Sequence, residues 1–179
     1  MIGEKQPVTD STLNFVRPPL AMATVYEAIL FRELVKSLST LKTFSRGSGI
    51  LGYRLDLVPY NNGSDHDIYL QFGVPSVMLN QWPDRYYHTD MDTLDKVDVI
   101  LMSRVAKALA KTLYIASADI YSEEMKRSIF DAYISVVRGL EVLRDDNPSE
   151  RSKQIDVHSC RSSEIKESGP KLRYVGGKG

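Results

Sequence analysis

The alternation of short apolar segments with helical patterns most strongly limits the folds that this chain can adopt. Residues 53–58 alternate between apolar and polar side chains, and residues 75–80 form a compact apolar run; both patterns are typical of β-strands. Helical patterns surround these two segments, at about residues 22–42, 67–72, 96–118 and 122–144. The order helix, strand, helix, strand, helix, helix predicts an α/β layer followed by a helical segment.

Local signals set the expected ends and faces of these elements. Thr24 followed by Glu27 has the form of a capping box near the start of the first long helix. Residues 44–52 contain three glycines and two serines and are predicted to form a loop, while Leu13–Val16 is a short extended stretch. The core-facing stripe expected on the helix at 96–118 is Val99, Met102, Val105, Ala106, Leu109 and Leu113. The stripe expected on the next helix is Met125, Ile129, Tyr133, Val136 and Leu140.

Composition argues against several classes of function. Lysine plus arginine equals aspartate plus glutamate, at 23 each, so no net field favours nucleic acid or anionic lipid. Cys160 is the only cysteine, which excludes a disulfide or a thiolate zinc site within one chain. No apolar run reaches the ~20 residues of a membrane-spanning helix. Residues 1–7 lack the features of a signal peptide, so we expect a cytoplasmic location.

Two polar loops follow the predicted strands and hold the candidate functional residues. The first contains Asp65 and His66, and the second contains Trp82, Asp84, Tyr86, Tyr87, His88, Asp90 and Asp92. Ligands of open α/β sheets collect at the carboxyl ends of strands, so both loops are expected where a site would form.

His88 is the sharper candidate of the two loop histidines. Neutral imidazole is a common zinc ligand, and its second nitrogen is usually held by a carboxylate or a carbonyl group. Asp90 or Asp92 is near enough in sequence to be that partner. A histidine in a polar loop is nevertheless more often a surface residue, and Asp65–His66 fits an acid/base pair or N-capping of the short helix equally well. Spacing alone leaves these interpretations open.

Nucleophilic and phosphate-binding sites have little support in the sequence. It contains no G-x-S-x-G elbow, and Cys160 and His158 lie in a polar C-terminal stretch with few aliphatic residues. Gly47–Gly49 lacks the glycine spacing and the lysine of nucleotide-binding loops. The residues by themselves indicate an α/β domain with one candidate metal-binding loop.

Four segments in one compact order carry a resemblance to a known family. They are Gly63–His66, Phe72–Leu79, Trp82–Thr89 and Asp92–Val97. The series resembles the C-terminal half of the zinc exopeptidases that include bacterial leucyl aminopeptidases, aminopeptidase Y and glutamate carboxypeptidase II, to which glutaminyl cyclases are related. It covers about residues 1–118 and implies the C-terminal portion of an α/β/α sandwich. Residues 119–145 would then be an added helical extension, and 146–179 a polar tail that is disordered or needs a partner surface.

The resemblance implies roles for residues of both loops. His88, in the Tyr-His-Thr motif, matches a zinc ligand, and Tyr87 before it matches a tyrosine that supports the tetrahedral oxyanion. Asp65 matches an aspartate beside the metal site rather than a ligand, and His66 is expected to hold its loop together. The residues expected to line the pocket for the substrate's terminal residue are Trp82 and Tyr86.

The family's other metal ligands have no counterpart in this chain. In the family, two zinc ions are also held by a His-x-Asp pair, by the second glutamate of a Glu-Glu pair, and by an aspartate that typically precedes a segment like Met1–Glu4. The first glutamate is the general base. We therefore expect a chain that begins one residue after a ligand, with weak or absent zinc binding and no activity in isolation.

The expected function is that of the C-terminal part of a metal-dependent aminopeptidase, which hydrolyses peptide bonds through a zinc-activated water. The alternatives are a non-catalytic binding or assembly module derived from that family and a glutaminyl-cyclase-like acyltransferase. We expect a peptide substrate for the complete enzyme and neither nucleic acid nor membrane as a partner. Formation of a homo-oligomer through the C-terminal helices is left open.

Overall fold

Two compact units divide the chain, Met1–Ile134 and Ser135–Gly179. The computed structural model describes residues 2–42 and 49–145, so the second unit is described only over 135–145, which are helical. The predicted polar tail, with His158 and Cys160, lies outside the described residues. The domain boundaries expected after residues 118 and 145 stay predictions.

Helices alternate with short strands along the described chain. In order, they are α1 (Gln6–Thr9), β1 (Thr12–Val16), α2 (Val25–Leu38), β2 (Ser39–Lys42), β3 (Gly49–Leu51), β4 (Leu55–Val58), α3 (His66–Gln71), β5 (Met78–Trp82), α4 (Val99–Ala118) and α5 (Glu123–Asp145). Short 3-10 turns occupy Leu20–Met22 and Leu94–Lys96. This mixture of helices with a small mixed sheet confirms the predicted α/β class.

Strand β1 is the centre of a three-stranded sheet whose order is β4-β1-β5. β4 runs parallel to β1, and Val58 pairs with Val16 at the end of both strands. β5 runs antiparallel to β1, so Trp82 at its end pairs with Thr12 at the start of β1. The loops after β4 and β5 therefore leave opposite ends of the sheet, about 13 Å apart along β1. Each loop follows a strand, as predicted, but the two loops do not meet at one sheet edge, because β5 enters the sheet antiparallel.

The core of the first unit lies among β1, α2 and α4. Phe15 of β1 packs edge-on against Phe31 of α2, with ring centroids 5.5 Å apart. The Lys111 ammonium on α4 pairs with the Glu33 carboxylate on α2 at 2.7 Å. The other buried apolar side chains of these elements are Leu13, Val16, Ala28, Ile29, Leu30, Leu34, Leu38, Leu101, Val105, Ala108 and Ile115.

Helix α2 begins at Val25, three residues after the predicted start at about residue 22, and ends four residues before the predicted end. The Thr24 hydroxyl accepts the Glu27 N–H at 3.4 Å, and the Glu27 carboxylate accepts the Thr24 N–H at 3.1 Å, which confirms the capping box. The predicted end at Lys42 is wrong, because Ser39–Lys42 leaves the helix and pairs antiparallel with Gly49–Leu51. Residues 49–51 are therefore strand rather than loop, and residues 43–48 lie outside the described chain.

Helix α4 turns a different stripe towards the core from the one predicted. Its buried residues are Leu101, Val105, Ala108, Thr112 and Ile115. Of the predicted stripe only Val105 is buried, while Val99, Met102, Leu109 and Leu113 are exposed. The reason is that α4 is apolar over much of its circumference, so periodicity alone does not select the face that meets α2.

The predicted stripe of α5 is buried in part. Tyr133 is buried, whereas Met125 and Val136 are nearly half exposed. Among residues 2–42 and 49–145, no helix combines the length and apolar composition that a bilayer crossing requires. The cytoplasmic location stays a prediction.

Candidate functional site

The loop that follows β5, residues 83–93, is here called the His88 loop, and its first end is fixed by Gln81. The amide oxygen of this buried side chain accepts the Gly3 N–H at 2.5 Å and the Glu4 N–H at 2.8 Å. Its amide nitrogen donates to the Glu4 carbonyl at 3.1 Å and to the Ser11 hydroxyl at 3.0 Å. Gln81 thus anchors the segment 3–5 beside the start of the loop.

The same segment also fixes the other end of the His88 loop. The Lys5 N–H donates to the Lys96 carbonyl at 2.7 Å, and the Asp98 N–H donates to the Gly3 carbonyl at 2.5 Å. The Lys5 ammonium donates to the Asp95 carbonyl at 2.7 Å. Residues 3–5 therefore bind both ends of the loop, which limits how far its middle can move.

His88 lies in the middle of this loop, exposed and in an unusual backbone conformation. Its φ of 57° places it in the left-handed region, which few non-glycine residues adopt. Its ring stacks on that of Tyr87, with centroids 3.8 Å apart and planes inclined by 19°. Tyr87 in turn meets the edge of Trp82 at 6.3 Å. The three rings form one continuous aromatic surface, here called the Trp82–His88 stack.

Tyr86 makes contacts of its own with Lys96, Asp84 and Thr89. The Lys96 ammonium lies 4.6 Å from the centroid of its ring. The Tyr86 N–H donates to Asp84 Oδ1 at 3.1 Å, and its carbonyl accepts the Thr89 hydroxyl at 2.7 Å. The predicted role of Tyr86 in substrate binding stays a prediction, as does that of Trp82.

The loop after β4 holds Asp65 and His66 in different environments. Asp65 is exposed at the N-terminus of α3, and its side chain makes no capping hydrogen bond, so the prediction of Asp65 as the capping residue is wrong, while capping by Ser64, the other predicted residue, stays a prediction. The buried His66 ring contacts the Asn61 carbonyl through Nε2 at 3.0 Å, and its own carbonyl accepts the Ser76 hydroxyl at 2.8 Å. These bonds suit a residue that holds its loop together. The roles predicted for Asp65 and His66 beside a metal site stay predictions.

Sequence reasoning missed Asp67 as an organiser of this loop. Its carboxylate accepts the Tyr60 hydroxyl and, at 2.8 Å, the Gly63 N–H. Since Asp67 lies in the first turn of α3, the signal available in the sequence was the preference of acidic residues for a helix N-terminus.

Sequence reasoning also missed a pair of buried carboxyl groups at the start of the His88 loop, Glu4 and Asp84. Burial raises the pKa of Glu4 from 4.5 to about 7, and the neighbouring Asp84 carboxyl adds to the effect. Asp84 is the second residue after β5, and its Oδ1 accepts the Tyr86 N–H. The two residues are far apart in sequence, so no local pattern indicates their contact.

The donor groups of the described residues do not fit a complete zinc site. Catalytic zinc takes three protein ligands plus water, usually nitrogen, oxygen or sulfur donors from His, Asp, Glu or Cys. Within the described ranges, no three such side chains are grouped so that they could hold a metal ion. His88 can therefore supply one ligand, and residues 2–42 and 49–145 do not supply the rest.

Comparison with known proteins bears on the same region. The model of Peptidase family M28 matches residues 33–113, which run from α2 to α4 and include Asp65 and the whole His88 loop. No curated protein and no solved structure matches the chain. The match supports the resemblance to a peptidase family and does not select among its members. Over residues 33–113, less than half of its length, the chain is thus similar to the peptidases of family M28.

Proposed function

We propose that the His88 loop is part of the active site of an exopeptidase of the aminopeptidase type. The observation that carries this proposal is the placement of His88, which is exposed on a loop fixed at both ends and lies inside the M28 match. In the proposal, His88 is a ligand of catalytic zinc, of which the complete enzyme would bind two ions. Tyr87 is the group that supports the oxyanion.

The backbone of His88 supports a functional role for the loop. A non-glycine residue in the left-handed region costs about 1–2 kcal/mol, and such residues persist where the surrounding structure fixes them. The hydrogen bonds of Gln81 and of the segment 3–5 provide that surrounding structure. An imidazole held in this way loses little further freedom when it binds a ligand.

Substrate recognition in this proposal rests on the Trp82–His88 stack. Trp82 and Tyr87 are exposed large aromatic side chains next to the proposed metal ligand. They offer an apolar surface on which the terminal side chain of a peptide could pack. Asp65 is assigned no role in this proposal, because its loop leaves the opposite end of the sheet from the His88 loop.

Replacement of His88 by alanine tests this proposal. If His88 is a zinc ligand, we expect His88→Ala to weaken zinc binding by this chain by about 10-fold or more, since loss even of an outer partner costs about 10–100-fold. Calorimetric titration of the purified chain measures the zinc affinity, which we expect to be weak in the parent because the described residues lack a complete ligand set. His158→Ala, outside the M28 match, is the matched control.

Two results would contradict the proposal. One is a His88→Ala variant that binds zinc as tightly as the parent. The other is a His158→Ala variant that loses zinc affinity to the same extent as His88→Ala. Either result would favour the second candidate function.

The second candidate is a non-catalytic binding or assembly module, and helix α4 favours it. Val99, Met102, Leu109 and Leu113 form an exposed apolar stripe on this helix. Soluble monomers seldom expose a continuous apolar patch without a partner for it. In this candidate function the stripe is the surface through which two copies of the chain associate.

Leu113→Glu tests the association of copies. Leu113 is 69% exposed, so the substitution should leave the fold intact while it places a charge in the proposed contact. We expect the dimer to be weakened by about tenfold or more, as for a residue worth over 1.4 kcal/mol of binding. Sedimentation equilibrium measures the change. Lys107→Gln changes the net charge equally on the same helix and should leave association unaltered; a parent that is monomeric at all concentrations would contradict the candidate.

A further inference from the structure

Two carboxyl groups are buried at the start of the His88 loop, Asp84 within the loop and Glu4 in the segment 3–5 beside it. Glu4 is 7% exposed and Asp84 is 9% exposed, although carboxylates are seldom buried without a cationic partner. The charged side chains next to them in sequence bond elsewhere. Arg85 pairs with Asp10 at 3.2 Å, and Lys5 donates to the Asp95 carbonyl at 2.7 Å.

When both carboxyl groups are ionised, neither can give the other a hydrogen bond. An ionised carboxylate only accepts hydrogen bonds, so two of them offer each other no donor. Both oxygens of Glu4 and Oδ2 of Asp84 are buried and lack a hydrogen-bond partner among the residues that the structure describes. One proton held between the two groups would supply the missing donor and remove one of two like charges.

Asp84 connects this pair to the middle of the His88 loop. Its Oδ1 accepts the Tyr86 N–H at 3.1 Å, and its carbonyl accepts the Tyr87 N–H at 3.4 Å. A displacement of Asp84 would therefore move the backbone that carries Tyr87 and the Trp82–His88 stack.

We propose that Glu4 and Asp84 share one proton, and that this proton holds the His88 loop in the conformation described. Glu4 is then a positioning residue that acts on the loop through Asp84. When the proton leaves, two buried negative charges repel each other, and the loop loosens at Asp84. The proposal goes beyond the peptidase function and does not depend on it.

The acid–base properties of Glu4 agree with this arrangement. Its pKa of about 7 arises from burial first and from Asp84 second. The Thr9 hydroxyl acts in the opposite sense. Thr9 is already engaged, since it bonds to the Lys5 carbonyl at 3.2 Å and to the Ser11 hydroxyl at 2.7 Å. The nearby Lys96 ammonium bonds to Asp95 at 3.2 Å.

The sign of the pH dependence follows from the direction of the shift. The pKa of Glu4 is about 7 in the folded chain, above its ordinary value of 4.5, so Glu4 binds its proton more tightly when the chain is folded. The folded state therefore holds more protons than the unfolded state between pH 4.5 and about pH 7. Stability and loop order should both fall as the pH rises through this window.

The fluorescence of Trp82 provides the test, because it is the only tryptophan of the chain and lies in the Trp82–His88 stack. We expect a titration between about pH 5 and about pH 9 at constant salt to show a transition near the pKa of Glu4. Glu4→Gln should abolish the transition, because its amide donates to Asp84 without titrating. Asp84→Asn should move the midpoint to lower pH, because its amide donates to the ionised Glu4.

Two further variants separate this transition from other titrations. His88→Gln removes the imidazole ring from the stack, and the transition should persist in this variant. Glu27→Gln neutralises a second buried glutamate whose pKa is raised by burial, and it should leave the midpoint unchanged. A flat parent titration, a transition retained in Glu4→Gln, or one lost in His88→Gln would each overturn the proposal. Circular dichroism shows whether each variant is folded. If Glu4→Gln does not fold, the midpoint of Asp84→Asn tests the proposal instead.

Discussion

Replacing Gln81 with methionine is expected to lower the free energy of unfolding by about 2–5 kcal/mol. Methionine matches the shape of glutamine but offers none of the four hydrogen bonds that this side chain makes. The Gly3 and Glu4 N–H groups would then be left without their acceptor, at about 1–3 kcal/mol for each buried donor. Total stabilities of domains are only about 5–15 kcal/mol, so the change would be a large fraction of the whole.

The same substitution also tests whether Gln81 anchors the His88 loop. Because Gln81 joins the segment 3–5 to the end of β5, its loss should release one end of the His88 loop before the sheet unfolds. We therefore expect the fluorescence of Trp82 to change at denaturant concentrations below the main transition. Urea titrations followed by circular dichroism and by fluorescence measure the two events separately.

Gln6→Met is the matched control for this experiment. Gln6 is also a buried glutamine, but it bonds through both side-chain atoms to the backbone of Arg54, at 2.6 Å and 2.7 Å, away from the His88 loop. Gln6→Met should lower the free energy of unfolding, while the circular dichroism and fluorescence transitions should still coincide. If Gln81→Met costs less than about 1 kcal/mol, or if both variants behave alike, Gln81 does not anchor the loop.

The sequence was sufficient where structure depends on neighbours along the chain. The capping box of Thr24 and Glu27 sets the start of α2, and the alternation at 55–58 sets strand β4, because each involves contacts within a few residues. His88 could likewise be singled out by its motif, and the M28 match covers the same region.

The sequence was insufficient where contacts join distant segments. The hairpin of β2 and β3 replaces the end of a helix whose apolar period continues past Ser39, so tertiary pairing decides against the local pattern. Likewise, the sequences of β1 and β5 do not indicate that the two strands run antiparallel. Glu4, Gln81 and Asp84 carry no local signal, since each is an ordinary polar residue until the fold buries it.

Helix α4 illustrates the same limit on one element. Two apolar stripes run along it, and the predicted one contains more large aliphatic side chains than a surface normally exposes. The structure instead places the stripe with Ala108 and Thr112 against α2, where small side chains allow the helices to approach. A pattern of apolar residues therefore predicts that α4 is a helix but not which side meets its neighbour.

Replacing Phe15 with alanine is the other change from which we expect a large effect, a loss of about 3–5 kcal/mol in the free energy of unfolding. Phe15 lies in the central strand, is 0% exposed, and meets Phe31 edge-on at 5.5 Å. Phe31 in turn contacts the ring of Tyr133 at 5.7 Å, so the cavity would open at one end of an aromatic row. Such pairs add about 0.5–1.5 kcal/mol beyond the area they bury.

Phe72→Ala is the matched control, because it is the same substitution at a side chain that is 81% exposed. It should change stability by no more than about 0.5 kcal/mol, as surface substitutions usually do. Urea denaturation of both variants, at equal slope against denaturant, gives the comparison. Because Phe15 lies between the strands that lead to the two polar loops, its loss should destabilise both loops together with the sheet. A cost below about 1 kcal/mol for Phe15→Ala would mean that the core does not centre on β1.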